Sequence, residues 1–308
     1  MPAEPTAANP VSSAPTPVPI SAAHTRLWLP RLALAGCVRA ALLRNTVGVD
    51  LSEAQRYNHF PASPLVSLSW WFSGSSDLLD AGFPASPHSP RQPCEGRFVI
   101  GGPYTRPGIT HNRGPVHAMM LLMQPDALHA LTGIDPQAHV NRISDATPLL
   151  PAPWLAMCEA VQNAPDDDSR FALIEAFLLP LWSKLQHKQA SNQNKRSSYA
   201  DWAQGLALRA ATSSTGRSLR QVERRIKQWA GLPLRELRAL SRAEKAFFQA
   251  LMAAEEGPVN WAAVAEEGGY ADQSHLCRES RRVTGFSPQQ LRLRIENDES
   301  FWAYRVWE

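Results

Sequence analysis

Near its C-terminal end this 308-residue chain twice repeats one grammar, and that repetition restricts its fold more than any other feature. A polar capping residue opens a short helical run in which apolar side chains recur every three or four residues. Cations collect on the opposite side, and glycine followed by proline closes it. In the first run Ser218 is the cap, Leu219, Val222, Ile226 and Trp229 share one face, and Gly231 and Pro233 form the stop. Arg220, Glu223, Arg224 and Lys227 fall on another face. Such a helix anchors to neighbours on one side and offers guanidinium groups on the other. A solvated surface helix has the same look, so one such run decides little.

The second run narrows the choice. Trp261, Val264 and Ala265 give a short helix its apolar side, and Gly268-Gly269-Tyr270-Ala271 supplies a turn in which glycine permits a left-handed bend. Asp272 then caps a helix reaching Val283, ended by Gly285 and Pro288. Leu276 and Val283 lie on its inner face, with Gln273, Ser274, Arg278, Arg281 and Arg282 on the outer one. Helix, tight turn and capped basic helix form the helix-turn-helix arrangement, whose second helix enters the DNA major groove. The net charge of the chain is only +3, but residues 201–294 hold fifteen Lys/Arg against ten Asp/Glu and so carry the whole excess.

Upstream the composition changes. Residues 1–23 are rich in Pro, Ala, Ser and Thr and read as a disordered tail. Residues 24–186 read as an α+β domain with a sensing or regulatory role. Strand-like runs lie at 64–74 and 97–100, a short apolar run at 116–123, a helix at 125–132 ended by Gly133, and helices at 154–161 and 169–188. Residues 187–198 are polar and read as a linker. An all-α DNA-binding domain follows over 199–295, its two helix-turn-helix units joined by a linker helix. Residues 296–308 form a C-terminal tail whose aromatics pack back onto a domain.

Gly269-Tyr270-Ala271-Asp272-Gln273-Ser274-His275-Leu276-Cys277-Arg278, followed by Gly285-Phe286-Ser287-Pro288, closely resembles the signature of AraC-type transcription regulators. The resemblance runs back through the helix at 234–254 to the first unit, about ninety residues in all. It implies a first recognition helix at 219–228 with Arg220, Glu223 and Arg224 facing bases. It implies a second at 273–282 with Gln273, Ser274, His275 and Arg278 facing bases. Lys227, Arg281 and Arg282 are then phosphate contacts, which position without specifying. His275 has a competing reading as a local hydrogen-bonding group. Two positions depart from the family pattern, Leu276 and Ser280, where an aromatic is usual; Phe301, Trp302, Tyr304 and Trp307 are candidates to cover the gap at Ser280. The stretch 211–217 also makes the first turn longer and more polar than usual. A helix of some twenty residues between the units is about 30 Å long, near one DNA turn of ~34 Å, so a monomer can read two half-elements.

The expected partners are double-stranded promoter DNA, RNA polymerase and a small-molecule effector, with a homodimer left open. The N-terminal domain resembles a sensor of unestablished ligand through Gly102-Pro103-x-Thr105-x-Pro107, the run 118–123 and the stretch from Pro125 to Gly133. The rival readings of that domain are a protein-binding or dimerisation module and an enzyme. His59, His111, His117 and His129 lack metal-ligand spacing, and neither a G-x-S-x-G elbow nor a P-loop is present. Neither catalytic residues nor a metal or cofactor are expected, and Trp70, Trp71 and Phe72 read as core rather than as a pocket wall. Four scattered cysteines read as free thiols. With no apolar run of ~18 residues and no secretory signal, a soluble cytoplasmic protein is expected.

Overall fold

A computed structural model of the chain describes residues 23–189, 198–213 and 218–307. The tail read at 1–23, apart from Ala23, lies outside them, as do most of the polar linker and part of the first turn.

Among the described residues the N-terminal part has ten strands: β1 His24–Trp28, β2 Val38–Asn45, β3 Tyr57–Phe60, β4 Val66–Ser73, β5 Ser76–Leu79, β6 Arg91–Pro93, β7 Phe98–Gly101, β8 Gly108–Asn112, β9 His117–Met123 and β10 Ile143–Asp145. They form an antiparallel six-stranded sheet in the order β1-β2-β9-β4-β7-β10 and a four-stranded sheet in the order β3-β8-β5-β6. The structure thus carries many more strands than the two or three runs legible from alternation. Helix α1 Pro125–Thr132 follows β9 and ends at Gly133 with φ +80°; α2 Ala152–Asn163 and α3 Asp167–Gln189 complete the domain. Helix α3 therefore continues three residues into the stretch read as linker.

The larger sheet is apolar on both faces. Met119, Leu121 and Met123 of β9 join Leu43, Leu68, Trp70 and Ile100 in a core closed by Trp154, Phe171 and Ile174 of α2 and α3. The alternate residues Met120 and Leu122, with Leu42 of β2, face the other way and pack with Trp302 and Ala303 from the end of the chain. Burial on two sides explains why β9 reads as an unbroken apolar run.

The C-terminal part is helical: α4 Tyr199–Thr212, α5 Leu219–Ala230, α6 Leu234–Glu256, α7 Trp261–Glu267, α8 Gln273–Thr284, α9 Pro288–Asn297 and α10 Trp302–Arg305. Trp202 and Leu206 of α4, Ile226 of α5, and Leu237 and Leu240 of α6 make the core of the first unit. Ala246 of α6, Val264 of α7, Tyr270 of the turn between α7 and α8, and Leu276 of α8 make that of the second. Helix α6 spans both cores.

Polar contacts join the two parts. Asp126 of α1 accepts from Trp202 Nε1 at 2.8 Å and pairs with Arg209 of α4. The backbone N–H of Ala62 donates to the Val283 carbonyl at the end of α8, at 2.7 Å. Residues 299–307 clasp both sheets: Trp302 Nε1 donates to Asn58 Oδ1 of β3 at 2.7 Å, and Glu299 pairs with Arg44 of β2.

His59 lies under this clasp, stacked on Phe301 at 4.4 Å with the Phe286 ring edge-on at 5.9 Å. Burial lowers its pKa from 6.5 to about 4; Asp298 pulls it upward and Arg294 pushes it down. The folded protein therefore keeps His59 neutral where the unfolded chain already binds a proton. The contribution is full well above pH 6.5 and shrinks as the pH falls from 6.5 toward 4, by about 3 kcal/mol. Urea unfolding midpoints should drop across that window in the wild type and drop less in His59→Phe.

Candidate nucleic-acid interface and interdomain cavity

Each recognition helix is set by local signals. Ser218 and Gln221 form a reciprocal capping box at the start of α5, and Gly231 ends it with φ +75°. Asp272 accepts from the His275 backbone N–H at 2.6 Å to start α8, which Gly285 ends with φ +88°. The turn before α8 needs both glycines. Gly269 sits at φ +74°, and a Cβ on Gly268 would lie 2.8 Å from the Val264 carbonyl oxygen.

The outer faces present the expected groups unevenly. Arg220, Arg224 and Lys227 are exposed on α5, as are Gln273, Ser274, Arg278 and Arg281 on α8. Glu223 is half-buried and accepts from the Leu234 N–H at 3.2 Å, which caps the start of α6. His275 sits edge-on to Tyr270 at 5.3 Å, and its Nδ1 accepts from the Ala271 N–H at 3.4 Å, the local role considered for it. Arg282 pairs with Glu236 at 2.5 Å and Glu279 at 3.2 Å, which ties α8 to α6. Arg225, buried on α5, donates from Nε to the Gln221 carbonyl at 3.2 Å and from its guanidinium to Ser213.

Behind α8 lies a cavity of about 730 Å³ between the larger sheet and the second helix-turn-helix unit. Leu42, Met120 and Leu122 wall it on the sheet side, and Leu276, Ser280 and Val283 on the α8 side. The Ser280 hydroxyl donates to the Phe286 carbonyl at 2.8 Å, and two of the C-terminal aromatics, Tyr304 and Trp307, line the same cavity. Phe301 and Tyr304 pack with Leu291 and Ile295, and Trp302 packs on the sheet. No sequence motif marks this cavity, because its walls come from segments far apart in the chain; Ser280 was the single local hint.

The remaining candidates have structural partners. Trp70 is fully buried and donates to the Cys158 carbonyl at 3.2 Å, and Trp71 donates to Ser76 Oγ at 3.0 Å. His117 Nε2 meets Asp167 at 2.9 Å, His129 Nδ1 meets the Ile134 carbonyl at 2.8 Å, and His111 lies 3.0 Å from Glu53. No helix among the described residues is long and apolar enough to cross a membrane.

Two three-helix units sharing one long helix, each with a capped basic helix outermost, define a double helix-turn-helix DNA-binding domain. Residues 212–294 match the family described as helix-turn-helix domain, of the AraC type. The protein is accordingly a DNA-binding transcription regulator. No curated protein matches the chain. Among solved structures, ToxT from Vibrio cholerae O395 is 11% identical, with a TM-score of 0.33, 87% of this chain and 96% of that one covered. An unsaturated fatty acid bound ToxT from Vibrio cholerae strain SCE256 is 11% identical, with a TM-score of 0.31 and coverages of 76% and 93%. The AraC-like transcriptional activator CuxR is 11% identical, with a TM-score of 0.16 and coverages of 83% and 80%. Likeness this remote transfers no site chemistry.

Proposed function

We propose that the protein binds a promoter site of two elements through α5 and α8, and that the state of its N-terminal domain sets how well it does so. The observation that carries the first half is the division of both helices. Arg220, Arg224, Gln273, Ser274, Arg278, Lys227 and Arg281 stand exposed, while the opposite faces are locked into cores that share α6. At 23 residues, α6 is about 34 Å long, so one copy suffices to address successive major grooves. In this reading Arg220, Arg224, Gln273, Ser274 and Arg278 meet base edges, and Lys227 and Arg281 meet phosphates. Arg282 reaches DNA only by loosening its pairs with Glu236 and Glu279, and Glu223 and His275 act chiefly by shaping the helices that carry the readers. Binding near a promoter acts through RNA polymerase, as activation or repression.

The second half is supported by the continuity of the two domains. Asp126, Ala62 and the C-terminal clasp each join the sheet domain to helices of the DNA-binding domain, so a change in one reaches the other. We assign no reaction to the sheet domain.

Genome-wide footprinting should return sites with two elements about one helical turn apart. Arg281→Ala should weaken binding to all sequences alike and reduce the slope of log affinity against log salt by about 1. Footprints without a paired element, or an unchanged slope, would count against this assignment.

A further inference from the structure

The cavity behind α8 is matched in size to a small-molecule site. Its volume of about 730 Å³ falls within the roughly 300–1,000 Å³ usual for sites that enclose drug-sized ligands. Its walls are mainly aliphatic and aromatic, and they belong to both domains at once. Anything held there touches the sheet on one side and the inner face of the second recognition helix on the other.

The polar groups in the walls limit the chemistry further. Two arginines line the cavity, and each is matched by an acid: Arg39 lies 3.0 Å from Glu244, and Arg292 lies 2.6 Å from Glu296. Glu244 also accepts from the Tyr199 N–H at 2.6 Å, so its oxygens are occupied, and the exposed Glu255 adds a negative charge to the wall. A carboxylate entering this space finds no cation awaiting it and an acidic group nearby. Tyr104 and Tyr304 contribute ring surface to the wall, while their hydroxyls are buried out of contact with the cavity. The space therefore offers an occupant apolar surface and charges that are already matched.

We propose that this cavity is an effector site for a neutral, predominantly apolar small molecule, held by the sheet face and the back of α8. Calling its occupant an effector rests on the reading that the N-terminal domain controls DNA binding; the site itself does not depend on that reading. The small side chain of Ser280 is what keeps the α8 wall open. An aromatic ring in its place would occupy the space.

The full-length protein should bind the neutral, carbonyl-bearing dye Nile red with one probe per chain and a blue-shifted emission. Dodecan-2-one should displace the dye at concentrations at least about tenfold below those needed for dodecanoate, since the matched arginines leave the anion unpaired. Ser280→Phe should abolish dye binding while retaining the wild-type circular dichroism. Tyr304→Phe, which removes only an oxygen out of contact with the cavity, should leave dye binding and its displacement unchanged. Stronger displacement by dodecanoate than by the ketone would overturn the proposal, and so would dye binding indifferent to Ser280→Phe. Affinity for promoter DNA, measured with and without the ketone, is a separate readout. No response there, with the dye results as expected, supports the site and removes control through it.

Discussion

Glu299→Ala is expected to lower stability by about 3–5 kcal/mol, seen as a fall in the urea midpoint. Glu299 is 1% exposed and pairs with Arg44, itself 4% exposed, where the C-terminal clasp meets the sheet domain. Burial works against the charge on Arg44, lowering its pKa even though Glu299 pulls the other way. Removing the carboxylate leaves that guanidinium in the same place, beneath the Trp302 ring at 5.4 Å and without its partner. Arg305, which reaches Glu299 at 3.6 Å, loses an anion as well. The cost therefore comes chiefly from the charge left behind. The double variant Arg44→Met/Glu299→Leu removes both charges and should regain most of the loss. If Glu299→Ala kept the wild-type midpoint, the clasp would not be an energetic part of the interface.

That pair shows what the sequence conceals. Residues 44 and 299 stand at opposite ends of the chain, and nothing near either one announces the other. The recognition helices are legible because their determinants are local: a serine or aspartate cap, apolar residues on a helical period, and a glycine that takes positive φ. The AraC-type match falls on the same stretch for the same reason. The strands are less legible. β3, β5, β6 and β8 are three to five residues long, and their sequences include Asn58, His59, Asp77, Gln92, Thr110 and Asn112. Their pairing is decided by partners across the sheet rather than by alternation within themselves. β9 is legible only as an apolar run at 118–123, without alternation, since burial on both faces erases the period of two. Local patterning places the outer side of α8, but the cavity on its inner side exists only once the sheet domain docks there. Ser280 could be seen to break the family pattern; the space it leaves could not.

The double variant Arg224→Ala/Arg278→Ala should lose most of the specific binding and little of the non-specific binding. Each arginine is exposed on the outer face of its own helix, away from the cores that hold Ile226 and Leu276. Neither substitution should alter the fold, and thermal melting checks that directly. A bidentate arginine–guanine contact is worth about 1–3 kcal/mol of discrimination. Because the two residues act in separate units, their effects should add to about 2–6 kcal/mol at the specific site. Affinity for random-sequence DNA should fall only slightly, since Lys227 and Arg281 still meet phosphates. The single variants divide the effect: Arg278→Ala should relax preference at one position in the α8 element and Arg224→Ala at one in the α5 element, as read by selection from a randomised site. An Arg278→Ala protein with full affinity and unaltered site choice would show that this face of α8 does not read bases. Loss of preference only in the α8 element, whichever arginine is removed, would show that α5 serves as a support rather than as a second reader.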